Sequence, residues 1–385
     1  MKNEKDKIKK KISLPFNKRT LYHYELILTE NCNFRCKYCF DDSFSSREKC
    51  SYNYTMSTDK IPDIINFIES TKCRDTPPRV SFFGGEPTLN WDFIEGFIKS
   101  AEERNLYYSY SMNTNLSLLT PSRVDFLIEK KFNLICSIDG IEEAHNSTRV
   151  FQGGMGTWQH IMKNLPCALG KFRNARLPFT AMMVVDNRNY THLQESYLFL
   201  RSLGFTEVNI LWNYECPYTE EDYLNIKNLL IDLFATKRVE PYLDLKRNIL
   251  SQGKAKSPYY CQCVHNCVTI NPLGQLFFCH RLTPKMCDAL LDDSYPEMFG
   301  NIYSGYTNKE YLKFIEKRTH FFKNKDPECM KCVARDFCKG GCIGAIRDNT
   351  PGYGHLPSLC RIERILAELK EAILQKDQIN EGSLK

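Results

Sequence analysis

The run ELILTENCNFRCKYCF, residues 25–40, joins a short β-rich segment to three cysteines, Cys32, Cys36 and Cys39, with no fourth cysteine beside them. ELILT has the apolar and branched residues of a strand, so the thiols fall in the loop that follows it. Thiolates spaced x3 and x2 on one loop can hold three irons of a 4Fe–4S cube and leave the fourth without a protein ligand. A structural zinc knuckle is the competing reading of three cysteines taken alone.

Working outward, strand-like runs recur at RVSFF (79–83), YSYSMNT (108–114), LICSID (134–139), FTAMMVV (179–185) and VNILWN (208–213). Between them lie KIPDIINFIEST, WDFIEGFIKSAEE, TPSRVDFLIEKK, a segment from Thr157 to Leu169, and THLQESYLFLRSLG, with apolar residues three and four apart as in amphipathic helices. Thr58-Asp59 and Thr120-Pro121 read as helix starts, and the glycine closing LRSLG reads as a C-cap. Strand and helix alternating six times predict parallel βα units. A closed eightfold barrel takes about 250 residues, and residues 24–213 are too few, so the expectation is α/β, a partial six-unit barrel. The cysteine loop then sits at the C-terminal end of the first strand, where such barrels place their chemistry.

The chain has 385 residues, 42% hydrophobic and 12% aromatic, enough for a large core and a second, smaller domain. No apolar run approaches the ~20 residues of a membrane span. The opening MKNEKDKIKKK is basic but lacks the apolar h-region of a secretory signal, and the expectation is a cytoplasmic protein with a solvated tail over residues 1–20. A net charge of +6 without a basic patch mixed with aromatics excludes nucleic acid as the expected partner. Eighteen cysteines in such a chain point to metal binding rather than disulfides.

At the end of the second predicted strand comes SFFGGEPTL (81–89), where Gly84 and Gly85 permit close backbone approach and Glu86 offers a carboxylate. Together, C-x3-C-x2-C and GGE resemble the signature of the radical S-adenosylmethionine (SAM) enzymes. The resemblance implies a cluster on Cys32, Cys36 and Cys39 whose open iron chelates S-adenosylmethionine, cleaved reductively to a 5′-deoxyadenosyl radical. It implies that Tyr38 and Phe40 flank the adenine and that Gly84, Gly85 and Glu86 receive the methionine amino group. Asn113, Asn115, Ser137 and Asp139 become candidates for the methionine carboxylate or ribose; MNTN and SIDG are also ordinary strand-end turns.

Residues 220–250 look helical, and after Tyr260 the texture changes: residues 261–360 carry ten cysteines among many turn residues. Such a segment lacks its own apolar core, and metal sites are its natural organisers, zinc included. The pattern resembles the SPASM extension of radical SAM peptide and protein maturases, which implies two auxiliary 4Fe–4S clusters. By that resemblance the first takes Cys261, Cys267, Cys279 and Cys342 and the second Cys329, Cys332, Cys338 and Cys360, with Cys263 an alternative ligand in the first. The expected division is a barrel over 21–235, a helical linker over 236–260, the SPASM domain over 261–365, and a C-terminal helix and tail over 366–385.

Auxiliary clusters closed by four thiolates suit electron transfer, and hence oxidation of a peptide or protein side chain to a crosslink or thioether. Formylglycine formation is the alternative, because the layout is similar to anaerobic sulfatase-maturating enzymes. Those carry an aspartate after the cysteine of the G-x4-C element, where this chain has His280, the candidate base. A non-catalytic iron–sulfur carrier or zinc scaffold is the alternative of another class. Expected partners are the peptide or protein, a flavodoxin or ferredoxin as reductant, and a separate leader-binding protein, since only some twenty residues precede the first strand.

Overall fold

The computed structural model describes residues 21–40, 54–236, 266–284 and 296–382. Six strands, β1 (His23–Thr29), β2 (Arg79–Gly84), β3 (Ser109–Thr114), β4 (Asn133–Ser137), β5 (Phe179–Val185) and β6 (Glu207–Trp212), pair in chain order. Every neighbouring pair among them is parallel. Helices α1 (Ile61–Thr71), α2 (Trp91–Glu103), α3 (Pro121–Glu129), α4 (Glu142–Thr148), α5 (Trp158–Asn174) and α6 (Leu193–Leu203) supply the crossovers. The α/β partial barrel expected from the alternation is the observed fold.

Side chains alternate across each strand, and the two faces differ in chemistry. Tyr24, Leu26, Leu28, Val80, Phe82, Met112, Leu134 and Met183 are buried on the outer face, under the helices. Phe82 stacks on Tyr110 and Phe132 and meets Phe97 of α2 edge-on. The inner face carries His23, Glu25, Ser81, Ser111 and Asn133 at alternate positions. His23 Nε2 and Ser81 Oγ lie 2.6 Å apart, as do Ser81 Oγ and Ser111 Oγ. A polar inner face inside an apolar shell makes the lumen a place for chemistry rather than a packed core.

The sheet does not stop at β1. β7 (Cys267–Ile270) joins β1 in parallel, and β8 (Gln275–Phe277), β9 (Gly300–Asn301) and β10 (Gly305–Tyr306) continue it antiparallel to ten strands. These short strands, two to four residues each, fall where the sequence shows only turns and cysteines. Helix α7 (Glu220–Thr236) leads out of the barrel; the linker beyond it, with Cys261 and Cys263, lies outside the described residues. Helix α8 (Lys309–Asn324) and the short helices α9 (Pro327–Met330), α10 (Arg335–Cys338) and α11 (Ile343–Asn349) precede α12 (Pro357–Gly382). The last helix begins at Pro357, ahead of Cys360, and so carries one of the expected ligands. Gly204, at φ 92°, caps α6 in the left-handed conformation, as LRSLG predicts. No helix among the described residues is long and apolar enough to cross a membrane.

Candidate active site

The three-cysteine loop leaves the end of β1 and lies directly on the end of β2. Gly84 has φ +143°, and a Cβ there would stand 2.2 Å from the Thr29 carbonyl oxygen. A Cβ on Gly85 would stand 2.2 Å from the Asn31 oxygen. Hydrogen bonds from Gly85 N to Thr29 O and from Glu86 N to Asn31 O, both 2.8 Å, fix that contact. Only glycines permit it, so the GG pair seats the cysteine loop as well as leaving room for a ligand.

Beyond the seat, Arg35 N donates to Val150 O at 2.7 Å and Lys37 N to Thr148 O at 2.8 Å, tying the loop to the segment after α4. Arg35 also donates to the carbonyls of Cys32 and Phe34. Cys32, Cys36 and Cys39 are all half-buried and form no disulfide. Burial first, then the neighbouring Glu86, Cys36 and Cys39, pushes the Cys32 thiol up. Burial also raises Cys36, against the nearby Arg149, which donates to its sulfur. Crowded thiols of this kind favour a cation that replaces their protons, and the donor set fits an iron–sulfur cluster.

Arg149 escaped the sequence reading, in which nothing marks a lone arginine after a short polar helix. It pairs with Asp139 at 3.0 Å, deep in the interior. Asp139 also accepts from Tyr38 Oη at 2.8 Å, Thr148 Oγ1 at 2.9 Å and Val184 N at 2.9 Å. The Arg149 guanidinium lies 5.2 Å from the Tyr38 ring centroid. Although burial opposes it, Asp139 keeps Arg149 firmly cationic. Tyr38 and Asp139, expected at the adenine and at the carboxylate or ribose, are thus joined in a buried bracket behind Cys36.

The other candidates divide similarly. Glu86 takes Thr88 N (3.1 Å), Thr88 Oγ1 (2.6 Å), Thr114 Oγ1 (2.8 Å) and Asn115 N (2.8 Å) on its carboxylate. Burial raises its pKa and those bonds oppose the rise. Its side chain is therefore engaged at the strand ends. Asn115 donates to Asn33 Oδ1 at 2.9 Å and accepts from Ser117, bracing the cysteine loop. Asn113 and Ser137 stand half-buried at the inner-face ends of β3 and β4.

Deeper in the lumen, His280 Nδ1 lies 3.0 and 3.1 Å from the two Glu25 oxygens, and Thr269 Oγ1 donates to Glu25 at 2.7 Å. Burial alone would neutralise both groups, yet their mutual attraction wins: Glu25 falls to about 2 and His280 rises to about 9. The imidazole that the sequence offers as a candidate base is thus paired with a carboxylate. Its ring stacks on Phe83 at 4.3 Å and stands 5.2 Å from Phe40, while Arg281 lies 4.9 Å from the Phe40 ring. Phe40, expected at the adenine, also packs against this C-terminal segment. A cavity of about 440 Å³ beside the pair is lined by His23, Arg79, Cys267 and Cys279 among others. Two expected ligands of the first auxiliary cluster therefore share one wall with His280. Cys342 stands at the start of α11, where Gly344 backs onto Arg281.

The second set is complete: Cys329, Cys332, Cys338 and Cys360 line one cavity. His355 bridges Cys360 Sγ, 3.7 Å from Nδ1, and Asp326, 3.2 Å from Nε2. Asp326, Cys329 and His355 also bring one ligand atom each within 4.8 Å of one another, a mixed set on which a single divalent metal would compete.

Residues 26–200 match the family model described as the radical SAM superfamily. The radical SAM cyclopropyl synthase TigE of Paramaledivibacter caminithermalis is 27% identical over 357 residues, 86% of this chain and 69% of that protein. The cysteine-type anaerobic sulfatase-maturating enzyme of Clostridium perfringens is 25% identical over 332 residues, 82% of this chain and 86% of that enzyme. The solved structure of anSMEcpe with bound AdoMet and Cp18Cys peptide superposes with a TM-score of 0.69 at 23% identity, covering 93% of this chain and 99% of that one. At that identity the likeness is one of fold.

Proposed function

We propose, from the radical SAM domain that residues 26–200 carry, that this enzyme is a maturase oxidising a side chain of a ribosomally made peptide or protein. The observation that carries the reading is the glycine seat, which holds the loop bearing three reduced cysteines against the end of β2. S-adenosylmethionine bound there with a 4Fe–4S cluster would supply a radical able to abstract hydrogen from carbon.

The chain's own residues do the rest. Cys32, Cys36 and Cys39 hold the cluster, with Cys36 braced by Arg149 and Asp139. Asn113 and Ser137 face the mouth and are the polar groups best placed for the cofactor. Phe40, Phe83 and His280 wall the lumen against water. Cys261, Cys267, Cys279 and Cys342 are assigned to a first auxiliary cluster, and Cys329, Cys332, Cys338 and Cys360 to a second. Clusters closed by these thiolates would supply an acceptor for the electron that the substrate radical gives up. Such reduced thiols suit the reducing cytoplasm.

The reaction class follows from what stands near His280. Glu25 occupies Nδ1 of the imidazole that stands where the sulfatase-maturating enzymes carry an aspartate. Bond formation at carbon, as the cyclopropyl synthase relative's name describes, fits better. A peptide substrate is supported by the peptide bound in the structural neighbour, and a flavodoxin or ferredoxin supplies electrons. The formylglycine reading keeps the support of the sulfatase-maturating relatives. Coexpression with short peptides from neighbouring reading frames, read by mass spectrometry, tests both. Loss of hydrogen with no carbonyl-reactive group formed supports crosslink, thioether or ring formation; an aldehyde at cysteine or serine, trapped by a hydrazide, favours the second reading and overturns the first.

A further inference from the structure

The second four-cysteine cavity has a shell that the ligand assignment does not explain. Helix α12 carries Cys360, Glu363 and Arg364 at i, i+3 and i+4, so all three share a face and all line the cavity. The Arg364 guanidinium donates to the Cys332 sulfur. His355 reaches the Cys360 sulfur, with its other nitrogen on Asp326. Arg335 and Lys339 line the same cavity, whose one carboxylate, Glu363, accepts a hydrogen bond from Tyr214 Oη at 2.9 Å. Two further acids stand close, Asp326 paired to His355 and Glu328 on the exposed side.

Donors to cluster sulfurs and nearby positive charge stabilise an added electron, and both raise a cluster's reduction potential. The first cysteine loop also has an arginine on a sulfur, Arg149 on Cys36, but there the cation is paired with buried Asp139 and a second buried carboxylate, Glu86, stands beside Cys32. We propose that Arg364 and the Asp326–His355 pair raise the electron affinity that a second auxiliary cluster would have on Cys329, Cys332, Cys338 and Cys360. This rests on the maturase reading.

The balance is simple. Hydrogen abstraction leaves a carbon radical on the substrate; completing the oxidation releases one electron and one proton. The proton passes to water. The electron would be taken up by auxiliary clusters on these thiolates and leave on a one-electron carrier of the flavodoxin or ferredoxin class. Arg364 and His355 are positioning residues here, since they act through the cluster's sulfurs.

The test is an EPR-monitored redox titration of the iron-loaded full chain. Arg364→Leu should lower the midpoint of one auxiliary signal by at least a tenfold change in electron affinity, about 59 mV for a one-electron couple. Arg364→Lys should recover part of the shift, and His355→Phe should shift the same signal downward. Arg361→Ala, one turn away and paired with Glu220 on the surface, should leave every midpoint in place. Unchanged midpoints in both Arg364→Leu and His355→Phe would overturn the proposal. Iron for a single cluster per chain and no auxiliary signal would overturn it too, while 5′-deoxyadenosine formation would still judge the radical SAM chemistry by itself.

Discussion

Charge placed in the lumen has a pH signature. Glu25, at about 2, lies below its ordinary 4.5, so its contribution to stability is present above pH 4.5 and lost as pH falls through about 2. His280, at about 9, lies above its ordinary 6.5, so its contribution is complete below pH 6.5 and lost as pH rises through about 9. Glu25→Gln should therefore be less stable than the parent by the widest margin between these limits, near pH 6, with the gap closing by about pH 10. Denaturant melts of the loaded protein at the two pH values check this; an equal gap at both would mean the pair carries no charge. At this scale the cysteines were legible because thiols at x3 and x2 spacing have few other uses. Arg149 and Glu25 were not, since a buried ion pair shows itself only when distant strands bring its halves together.

Among elements, the six βα units were readable because each has a full period to display. Helix α4 and strands β7 to β10 were not: seven residues with one alanine among polar neighbours, or runs of two to four, give no periodicity, and pairing of β7 with β1 is a long-range event. The glycine seat belongs to this scale as well, since it joins the end of one strand to the loop of another. Gly85→Ala puts a methyl group 2.2 Å from the Asn31 oxygen, so the cysteine loop must lift. We expect at least tenfold weaker S-adenosylmethionine binding, about 1.4 kcal/mol, with the fold retained. Equilibrium dialysis of the iron-loaded variant measures it, and parental affinity would show that the loop tolerates the displacement.

Across the whole molecule, one ten-stranded sheet carries an open three-thiol site at the barrel mouth and connects it to the cysteine-rich C-terminal region. The sequence already contained the contrast between three cysteines and eight. It did not contain the bracket behind Cys36 or the pairing of His280 with Glu25. The central claim is that the three-cysteine loop performs reductive cleavage of S-adenosylmethionine. Anaerobic assay of 5′-deoxyadenosine, with dithionite as reductant and iron-loaded protein, tests it most directly. The parent should form 5′-deoxyadenosine, and a variant with Cys32, Cys36 and Cys39 all changed to alanine should form none while keeping its auxiliary iron; product from that variant, or none from the parent, would contradict the account.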